Sequence, residues 1–331
     1  MKDPVLVIGG SGIVGRYFAK ALRKLQPTLP ITVAGRDLAK AKAVAEEAGL
    51  AEAVRVDLER RDLGLPEGNS YSAVVVLLKD PTLNAMKYAQ AKGLPYVSFS
   101  SWLFEIGPEV ALYVHAPSRA PVLFLGHFLG GTVTLSTLHF AREFRTIESI
   151  DLGVVLGEGD AGGPAAQVDM DRLGAAVARP PILKNGQWLW AGEEDATRRI
   201  VGVDGREWQG RALPAPDVAS LAAATDAKSL RVDVALRPGD GLTHEVIIEI
   251  AGTKNDGSTG RFRYTLVDPA SHSETSARGV AFAVERLLGL AGGRERPTTA
   301  ARPGLYHPES LLDPGYVVER MQEFGTRIER R

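Results

Sequence analysis

The chain has 331 residues, of which 44% are hydrophobic and 24% charged, with no cysteine and a formal net charge of -1. This composition excludes disulfides, thiolate nucleophiles, zinc ribbons and iron–sulfur clusters, and it provides no basic patch for nucleic acid or an anionic membrane. The length predicts two domains, because single hydrophobic cores stop growing near about 250 to 300 residues. No apolar run approaches the roughly 20 residues that cross a bilayer, and the first one is too short for a signal peptide. We therefore expect a cytoplasmic protein that acts on a small molecule, with no nucleic-acid or membrane partner.

Strand and helix patterns alternate over the first third of the chain. Short apolar runs predict buried strands at "VLVIG" (5–9), "PITVAGR" (30–36), "AVRVDL" (53–58), "YSAVVVLL" (71–78) and "LPYVSFS" (94–100). Helices are predicted between them at 13–25, 38–49 and 82–93, the second capped by Asp37 and ended by Gly49. Such βαβ units with right-handed crossovers predict an α/β fold of the Rossmann type, with a doubly wound parallel sheet.

A glycine-rich turn joins the first strand to the first helix. It fits both GxGxxG and GxxGxxG, with glycines at 9, 10, 12 and 15. Glycine lets such a turn close and lets the backbone approach a pyrophosphate, which the amides of the helix start then face. Packing of the helix on the strand is the alternative reason for the glycines, and the strand–turn–helix context favours dinucleotide binding. The predicted binding residues are Gly9, Gly10, Ser11, Gly12, Ile13, Val14 and Gly15.

The type of dinucleotide depends on the end of the second strand. An Asp or Glu there would bond the ribose 2′-hydroxyl of NAD, but this chain has Arg36, which matches the 2′-phosphate of NADP. The sequence thus favours NADP, while Asp37 keeps NAD possible. Asp57 could contact the adenine or act as an exposed cap. Leu77 and Leu78, which end the fourth strand, are expected to line the cofactor site or to belong to the core.

The pattern changes after a sixth predicted strand, "PVLFLG" (121–126). Two hairpins are predicted at Asn185-Gly186 and Asp204-Gly205, and longer alternating strands follow. They predict an α+β domain with a mostly antiparallel sheet, covered on one face by helices near 163–178 and 276–293. A solvated or interfacial face is predicted for the polar residues that alternate along its strands: Arg231, Asp233, Glu245, Glu249, Arg261 and Arg263.

Segments along almost the whole chain resemble the saccharopine dehydrogenase-like family. They include "VIGGSGIVGRYFAKAL" (7–22), "ITVAGRDLAKA" (31–41), "FLGHFLGGTVT" (124–134), "SIDLGVVLG" (149–157) and "PGLYHPESLLDPGYVVERMQEFG" (303–325). The resemblance implies a dinucleotide-binding domain at 1–120, completed by 300–331. It also implies an inserted substrate and dimerisation domain at 121–299, and hence a homodimer. The chemistry that it implies is hydride transfer between nicotinamide and the carbon of an imine or secondary amine.

Two departures from the family concern the substrate. Members often have an Asp near the end of the fifth strand, where this chain has the stretch 98–102, "SFSSW", and a Pro-Gly turn where it has Gly130-Gly131. The substrate therefore need not be an amino acid. By position, Ser100, Ser101 and Trp102 are predicted to border the nicotinamide.

The remaining site candidates are a histidine and a helix start. His127 is the candidate general acid, with a packed or solvent-facing histidine as the alternative. The amides of Gly130, Gly131 and Thr132 could hold a substrate carboxylate, or they could simply begin a helix. No histidine spacing indicates a metal site, so no metal is expected.

Three functions follow from these residues. The first is an NADP-dependent oxidoreductase acting on an imine or carbonyl of a small polar metabolite. The second is a redox sensor or interaction protein that binds NADP(H) without turnover. A third, a short-chain reductase, would use the YxxxK pair Tyr88 and Lys92, but this pair precedes the fifth strand rather than following it, and we expect Tyr88 to be a packed aromatic.

Overall fold

The computed structural model describes residues 2–99, 101–160, 163–176, 179–239, 243–290 and 299–330. Contacts within the chain divide it into two compact units. The first comprises Met1–Gly126 and Ser276–Leu312, and the second comprises His127–Thr275 and Asp313–Arg331.

The amino-terminal stretch alternates strand and helix, as predicted. Its elements are β1 (Val5–Ile8), α1 (Ile13–Leu25), β2 (Ile31–Gly35), α2 (Leu38–Ala48), β3 (Ala51–Arg55), β4 (Ala73–Val76), α3 (Asn84–Lys92), β5 (Tyr96–Ser98), α4 (Gly107–Val114) and β6 (Val122–Phe124).

The middle stretch is dominated by longer strands. Its elements are α5 (Thr132–Ala141), β7 (Phe144–Gly157), α6 (Pro164–Ala176), β8 (Pro181–Lys184), β9 (Gln187–Trp190), β10 (Thr197–Val201), β11 (Glu207–Ala212), α7 (Pro216–Ala224), β12 (Ser229–Arg237), β13 (His244–Lys254), β14 (Thr259–Asp268) and α8 (His272–Leu287). The last elements are β15 (Leu305–Tyr306), α9 (Pro308–Leu311), α10 (Pro314–Glu323) and β16 (Arg327–Arg330).

The first unit contains a parallel sheet. Among the described residues its strand order is β15-β6-β5-β4-β1-β2-β3, and every neighbouring pair is parallel. Strands β1, β2 and β4 are buried at every residue, as expected where helices cover both faces. From β3 to β6 this is the order of the Rossmann fold, in which the progression of the strand order reverses between β1 and β4. The predicted doubly wound sheet is confirmed.

The second unit contains a mixed sheet. Its path is β10-β11-β12-β7-β13-β14-β16, with β8 beside β12 and β9 beside β8. Among the described strands of this second sheet, β7 and β12 pair in parallel and the other pairs are antiparallel. The hairpin between β8 and β9 turns at Asn185 and Gly186, both with positive φ as a two-residue hairpin requires. The predicted, mostly antiparallel sheet is confirmed.

The unit boundaries differ from the predicted domain boundaries. The prediction placed 300–331 with the dinucleotide-binding domain, but Asp313–Arg331 falls in the second unit, since β16 pairs with β14. Residues 276–299, assigned to the inserted domain by sequence, belong to the first unit. Strand β6 also lies in the parallel sheet, beside β5 and β15, and so the first unit extends beyond residue 120.

Charged residues of the mixed sheet pair with one another. Asp233 is 0% exposed and accepts hydrogen bonds from Arg198 at 2.9 Å and from Arg231 at 2.6 Å. Arg198 also bonds Glu249, at 3.2 Å. The face predicted to be solvated therefore carries a partly buried ion-pair network centred on Asp233.

Candidate functional site

The turn between β1 and α1 has a geometry that depends on glycine. Gly9 has a φ of +82°, in the left-handed region that disfavours side chains. A Cβ added at Gly15 would lie 2.4 Å from the carbonyl oxygen of Gly10, and one at Gly10 would lie 2.8 Å from that of Val7. Glycine at these positions lets α1 pack directly against the turn.

The start of α1 is open to an anion. Gly12 is the N-cap residue, with no side-chain cap, and the first turn contains no acidic residue. The first amides of a helix have no intrahelical acceptor and carry the positive end of the helix dipole. The structure thus places all seven predicted turn residues, 9–15, around one uncapped helix start. Ser11 Oγ also approaches the end of β2, since a Cβ at Gly35 would lie 2.9 Å from it.

Three predicted polar groups follow the neighbouring strands. Asp37 Oδ1 accepts the backbone N–H of Lys40 at 3.1 Å and caps α2. Asp57 Oδ1 accepts the N–H of Glu59 at 3.0 Å. Arg36 is exposed, and its side chain forms no ion pair or hydrogen bond within the described part of the chain. Of the three, the guanidinium is the group whose bonding capacity is not used by the fold.

The two predicted leucines lie beside the glycine turn. Leu78 Cδ2 is 3.2 Å from the position of a Cβ at Gly9, and Leu77 Cβ is 3.5 Å from it. Leu77 is buried and Leu78 is half-buried. They form an apolar wall at the point where the strand order of the parallel sheet reverses.

A polar network beyond the ends of β4 and β5 was not predicted as a unit. Ser98 Oγ donates to Glu109 Oε1 at 2.6 Å and lies 3.2 Å from Ser101 Oγ. Lys79 Nζ donates to Ser101 Oγ at 3.2 Å and lies 3.8 Å from Glu105 Oε2. Four of these side chains come from the stretch 98–109 and the fifth is Lys79, and they meet at the carboxyl edge of the sheet.

Burial distinguishes the two ends of this network. Glu109 is 3% exposed, and Ser98 and Ser101 are also buried, whereas the Lys79 side chain is 18% exposed. Glu109 Oε2 has no hydrogen-bond partner among the described residues. The network therefore leads from a buried carboxylate to an ammonium group that solvent reaches.

Of the predicted nicotinamide neighbours, Ser101 belongs to this network. The backbone N–H of Trp102 donates to Glu105 Oε2 at 3.0 Å, and its side chain is half-buried. Ser100 lies outside the described residues. Lys79 and Ser98 lie near the ends of predicted strands, and this position could have marked them as candidates. Glu109 had no sequence pattern beyond its place in the first turn of a helix.

The histidine candidate lies in the second unit. His127 is buried, and its Nε2 is 2.8 Å from Ser220 Oγ. The next residue, Phe128, donates its N–H to Asp217 Oδ2 at 2.9 Å, and Thr134 Oγ1 donates to Asp217 Oδ1 at 2.6 Å. Burial raises the pKa of the Asp217 carboxyl above its usual range. These contacts join the segment before α5 to α7 and give His127 a packing role within this unit.

The other three candidates of that segment form the start of α5. Gly130 and Gly131 have φ of +64° and +84°, and Gly131 is the N-cap. Thr132 is buried and donates from Oγ1 to the carbonyl oxygen of Leu129 at 2.9 Å. The structure brings these three residues together, and carboxylate binding by their amides stays a prediction.

Three further findings concern metal binding, Tyr88 and membrane spans. No group of three or more His, Asp or Glu side chains within it is arranged to hold a metal ion. Tyr88 is buried in the core of the parallel sheet, as expected for a packed aromatic. Within the described residues, the helices of the protein are too short or too polar to span a membrane.

Comparisons with known proteins support the fold. No family model matches the chain, and no curated protein matches its sequence. Among solved structures, it is similar to the apo form of a saccharopine dehydrogenase (L-Glu forming) from Saccharomyces cerevisiae. The TM-score is 0.62 at 16% identity, over 99% of this chain and 100% of that one.

A second similar structure is an amine dehydrogenase from Mycobacterium smegmatis. Its TM-score is 0.59 at 13% identity, and the match covers 94% of this chain and 96% of that one. At these identities the similarity shows that the chain shares the fold of two dehydrogenases over nearly its whole length.

Proposed function

We propose that the chain is an NADP-dependent oxidoreductase that transfers hydride to or from the carbon of an imine or carbonyl in a small polar metabolite. The observation that carries this proposal is the uncapped start of α1, which follows a turn that only glycine can form. Backbone amides in this arrangement suit a pyrophosphate. The fold shared with a saccharopine dehydrogenase and an amine dehydrogenase supports the reaction type.

The residues present fit the dinucleotide. Its pyrophosphate would face the turn at 9–15, whose close packing against β1 and α1 leaves no room for a side chain at Gly10 or Gly15. When bound, the nicotinamide supplies or accepts the hydride. Leu77 and Leu78 provide an apolar wall that excludes water from this part of the sheet edge.

Arg36 supports NADP rather than NAD. Asp37 and Asp57 already accept backbone N–H groups, while the Arg36 side chain keeps its donors available. A guanidinium forms bidentate, charge-assisted bonds with phosphate, and it follows β2, where the ribose of a dinucleotide lies in this fold. We therefore expect NADPH to bind more tightly than NADH.

Fluorescence titration with NADPH and NADH, followed by a turnover panel, tests the proposal. The panel combines glyoxylate, pyruvate or 2-oxoglutarate with ammonium, glutamate or lysine and follows the absorbance of NADPH. Preferential NADPH binding with NADPH consumption is the expected result. Tight binding without consumption would favour the alternative, a non-catalytic NADP(H)-binding sensor. Affinity for neither coenzyme would exclude both functions.

A further inference from the structure

We propose that Lys79 is the residue that exchanges a proton with the reacting oxygen or nitrogen, and that Ser101, Ser98 and Glu109 position it. This inference rests on the proposed function and identifies the proton donor of the same site. Its basis is the hydrogen-bonded chain from Glu109 to Lys79 beyond the ends of β4 and β5.

The direction of each hydrogen bond follows from the carboxylate. Glu109 Oε1 can only accept when ionised, so Ser98 donates to it at 2.6 Å. Since Ser98 has one hydroxyl hydrogen, its oxygen accepts from Ser101 across their 3.2 Å contact. Ser101 in turn accepts from Lys79 Nζ. The buried carboxylate therefore fixes Ser101 as an acceptor for the lysine.

This arrangement leaves Lys79 with a donor for a ligand. One N–H of its ammonium points to Ser101, and Glu105 lies at ion-pair distance. No other described group accepts a hydrogen bond from Nζ. Because an ammonium carries three donors and this side chain is 18% exposed, the remaining donor can reach a molecule at the sheet edge.

The place of Lys79 in the sheet suits contact with the reacting atoms. A dinucleotide in this fold spans the point where strand order reverses, here between β1 and β4. If Arg36 after β2 binds the adenosine half, the nicotinamide half lies toward β4 and β5. Lys79 directly follows Leu78, which contacts the glycine turn.

A second feature of the network is an unsatisfied acceptor at its buried end. Glu109 Oε2 is buried and has no hydrogen-bond partner among the described residues, although Oε1 is bonded. A buried acceptor without a donor costs free energy, and native proteins rarely retain one that no water or ligand satisfies. A water molecule within the network would supply the missing donor.

The proton step balances as follows. When the carbon of a C=O or C=N bond receives hydride, its π electrons move to the oxygen or nitrogen. Lys79 Nζ gives a proton to that atom: one N–H bond of the ammonium breaks, a new O–H or N–H bond forms, and a neutral amine remains. The amine regains a proton from solvent through its exposed side. In the reverse direction Lys79 accepts the proton.

The first test compares the affinities for NADP⁺ and NADPH at pH 7. An ammonium beside the nicotinamide repels the positively charged ring of NADP⁺ but not the neutral ring of NADPH, whereas its attraction for the phosphates is common to both. We expect the ratio of NADP⁺ affinity to NADPH affinity to be about 10-fold higher in the Lys79→Met variant than in the unmodified protein. Lys79→Gln, which keeps a donor for Ser101 without the charge, should do the same.

Lys92→Met is the matched control, because Lys92 is an exposed lysine at the end of α3 in the same unit. Its ratio of affinities should not change. An unchanged ratio in both Lys79 variants, with both coenzymes still bound, would overturn the proposal. Failure of the unmodified protein to bind either coenzyme would instead overturn the proposed function.

The second test measures turnover with a consumed member of the panel. With NADPH at saturating concentration, Lys79→Met should lower kcat about 100- to 10,000-fold, the range of general acid catalysis. Ser101→Ala should lower kcat with KM and the thermal midpoint preserved, which a purely structural role would not produce. Unchanged kcat in Lys79→Met would contradict the proton-transfer role, whereas NADPH binding without turnover of any panel member would count against the proposed function itself.

Discussion

The two sheets of this protein place their charged residues differently. In the parallel sheet the central strands are buried along their length, and charged groups such as Arg36, Lys79 and Glu105 lie beyond the strand ends. In the mixed sheet, charged residues project from the middle of the strands, where Asp233 bonds Arg198 and Arg231. Charges of the second kind pair with one another, whereas Arg36 forms no ion pair within the described residues and Lys79 keeps ammonium donors that Ser101 does not use. The predictions below test whether the first sheet binds a ligand and whether the polar network of the second stabilises it.

The largest expected effect concerns the ion pairs of the mixed sheet. Asp233→Ala would leave two partly buried arginines without their shared carboxylate, and we expect a loss of about 3–5 kcal/mol in the free energy of unfolding. Urea unfolding measures this loss. Glu207→Ala is the control, since its pair with Arg199 is exposed and should contribute less than about 1 kcal/mol. Equal losses in the two variants would show that the partly buried network around Asp233 stabilises the second unit no more than an exposed ion pair does.

The next effect concerns the glycine turn. Gly15→Ala forces a Cβ to within 2.4 Å of the Gly10 carbonyl oxygen, so the helix start must move. We expect a loss of about 1–3 kcal/mol in stability, and NADPH binding should weaken by a larger factor than in the control. That control is Gly68→Ala, where no atom lies within 4 Å of the added Cβ. Wild-type affinity in Gly15→Ala would argue against pyrophosphate binding at this turn.

A smaller effect is expected at the end of β2. Arg36→Ala should weaken NADPH binding about 10- to 100-fold, as loss of a charge-assisted bond to phosphate predicts, without changing stability. NADH, which lacks the 2′-phosphate, should be unaffected. Lys42→Ala removes a positive charge from an exposed position on α2 and serves as the control. Equal weakening of both coenzymes by Arg36→Ala would show that the guanidinium does not select NADP.

The smallest effect is a pH dependence of stability in the second unit. Burial lowers the pKa of His244, despite the nearby carboxylates of Asp160 and Asp268, and its Nδ1 lies 3.1 Å from the Ala270 carbonyl oxygen. The unfolded chain then binds a proton at this histidine more readily than the folded chain does. The stability that depends on neutral His244 is therefore fully present above about pH 6.5 and is lost as the pH falls below it. Urea unfolding at pH 7.5 and 5.5 measures how far the free energy of unfolding falls with the pH. This decrease should be smaller in His244→Gln than in the unmodified protein.

Much of the fold could be predicted from local patterns. Helix α1 has the predicted bounds, Asp37 caps α2 as expected, and the Asn185-Gly186 turn joins two strands. Strand ends were less accurate: 71–78 was predicted, but β4 covers Ala73–Val76. An apolar run continues through Leu77 and Leu78 because they pack beside the turn, so hydrophobicity alone does not show where the strand ends.

The candidate site could be predicted only in part. The glycine turn and Arg36 could be identified from the sequence, because they are recognised by the spacing of residues within a short stretch of chain. The network from Lys79 to Glu109 depends on which strands are neighbours, and its members are too far apart in sequence to form a motif. Strand β16 was missed for a related reason, since "RIER" has no apolar run and pairs through its backbone with β14. Coenzyme preference and the homodimer stay predictions.

Each unit is assembled from two separate stretches of chain, 1–126 with 276–312 and 127–275 with 313–331. During synthesis, therefore, neither unit can finish folding when its first stretch leaves the ribosome. The hydrogen-bonding edge of β14 in particular stays uncovered until residues 327–330 have been translated. An exposed strand edge is a template for pairing with other chains, so the nascent protein passes through a stage at which chaperones would protect it from aggregation.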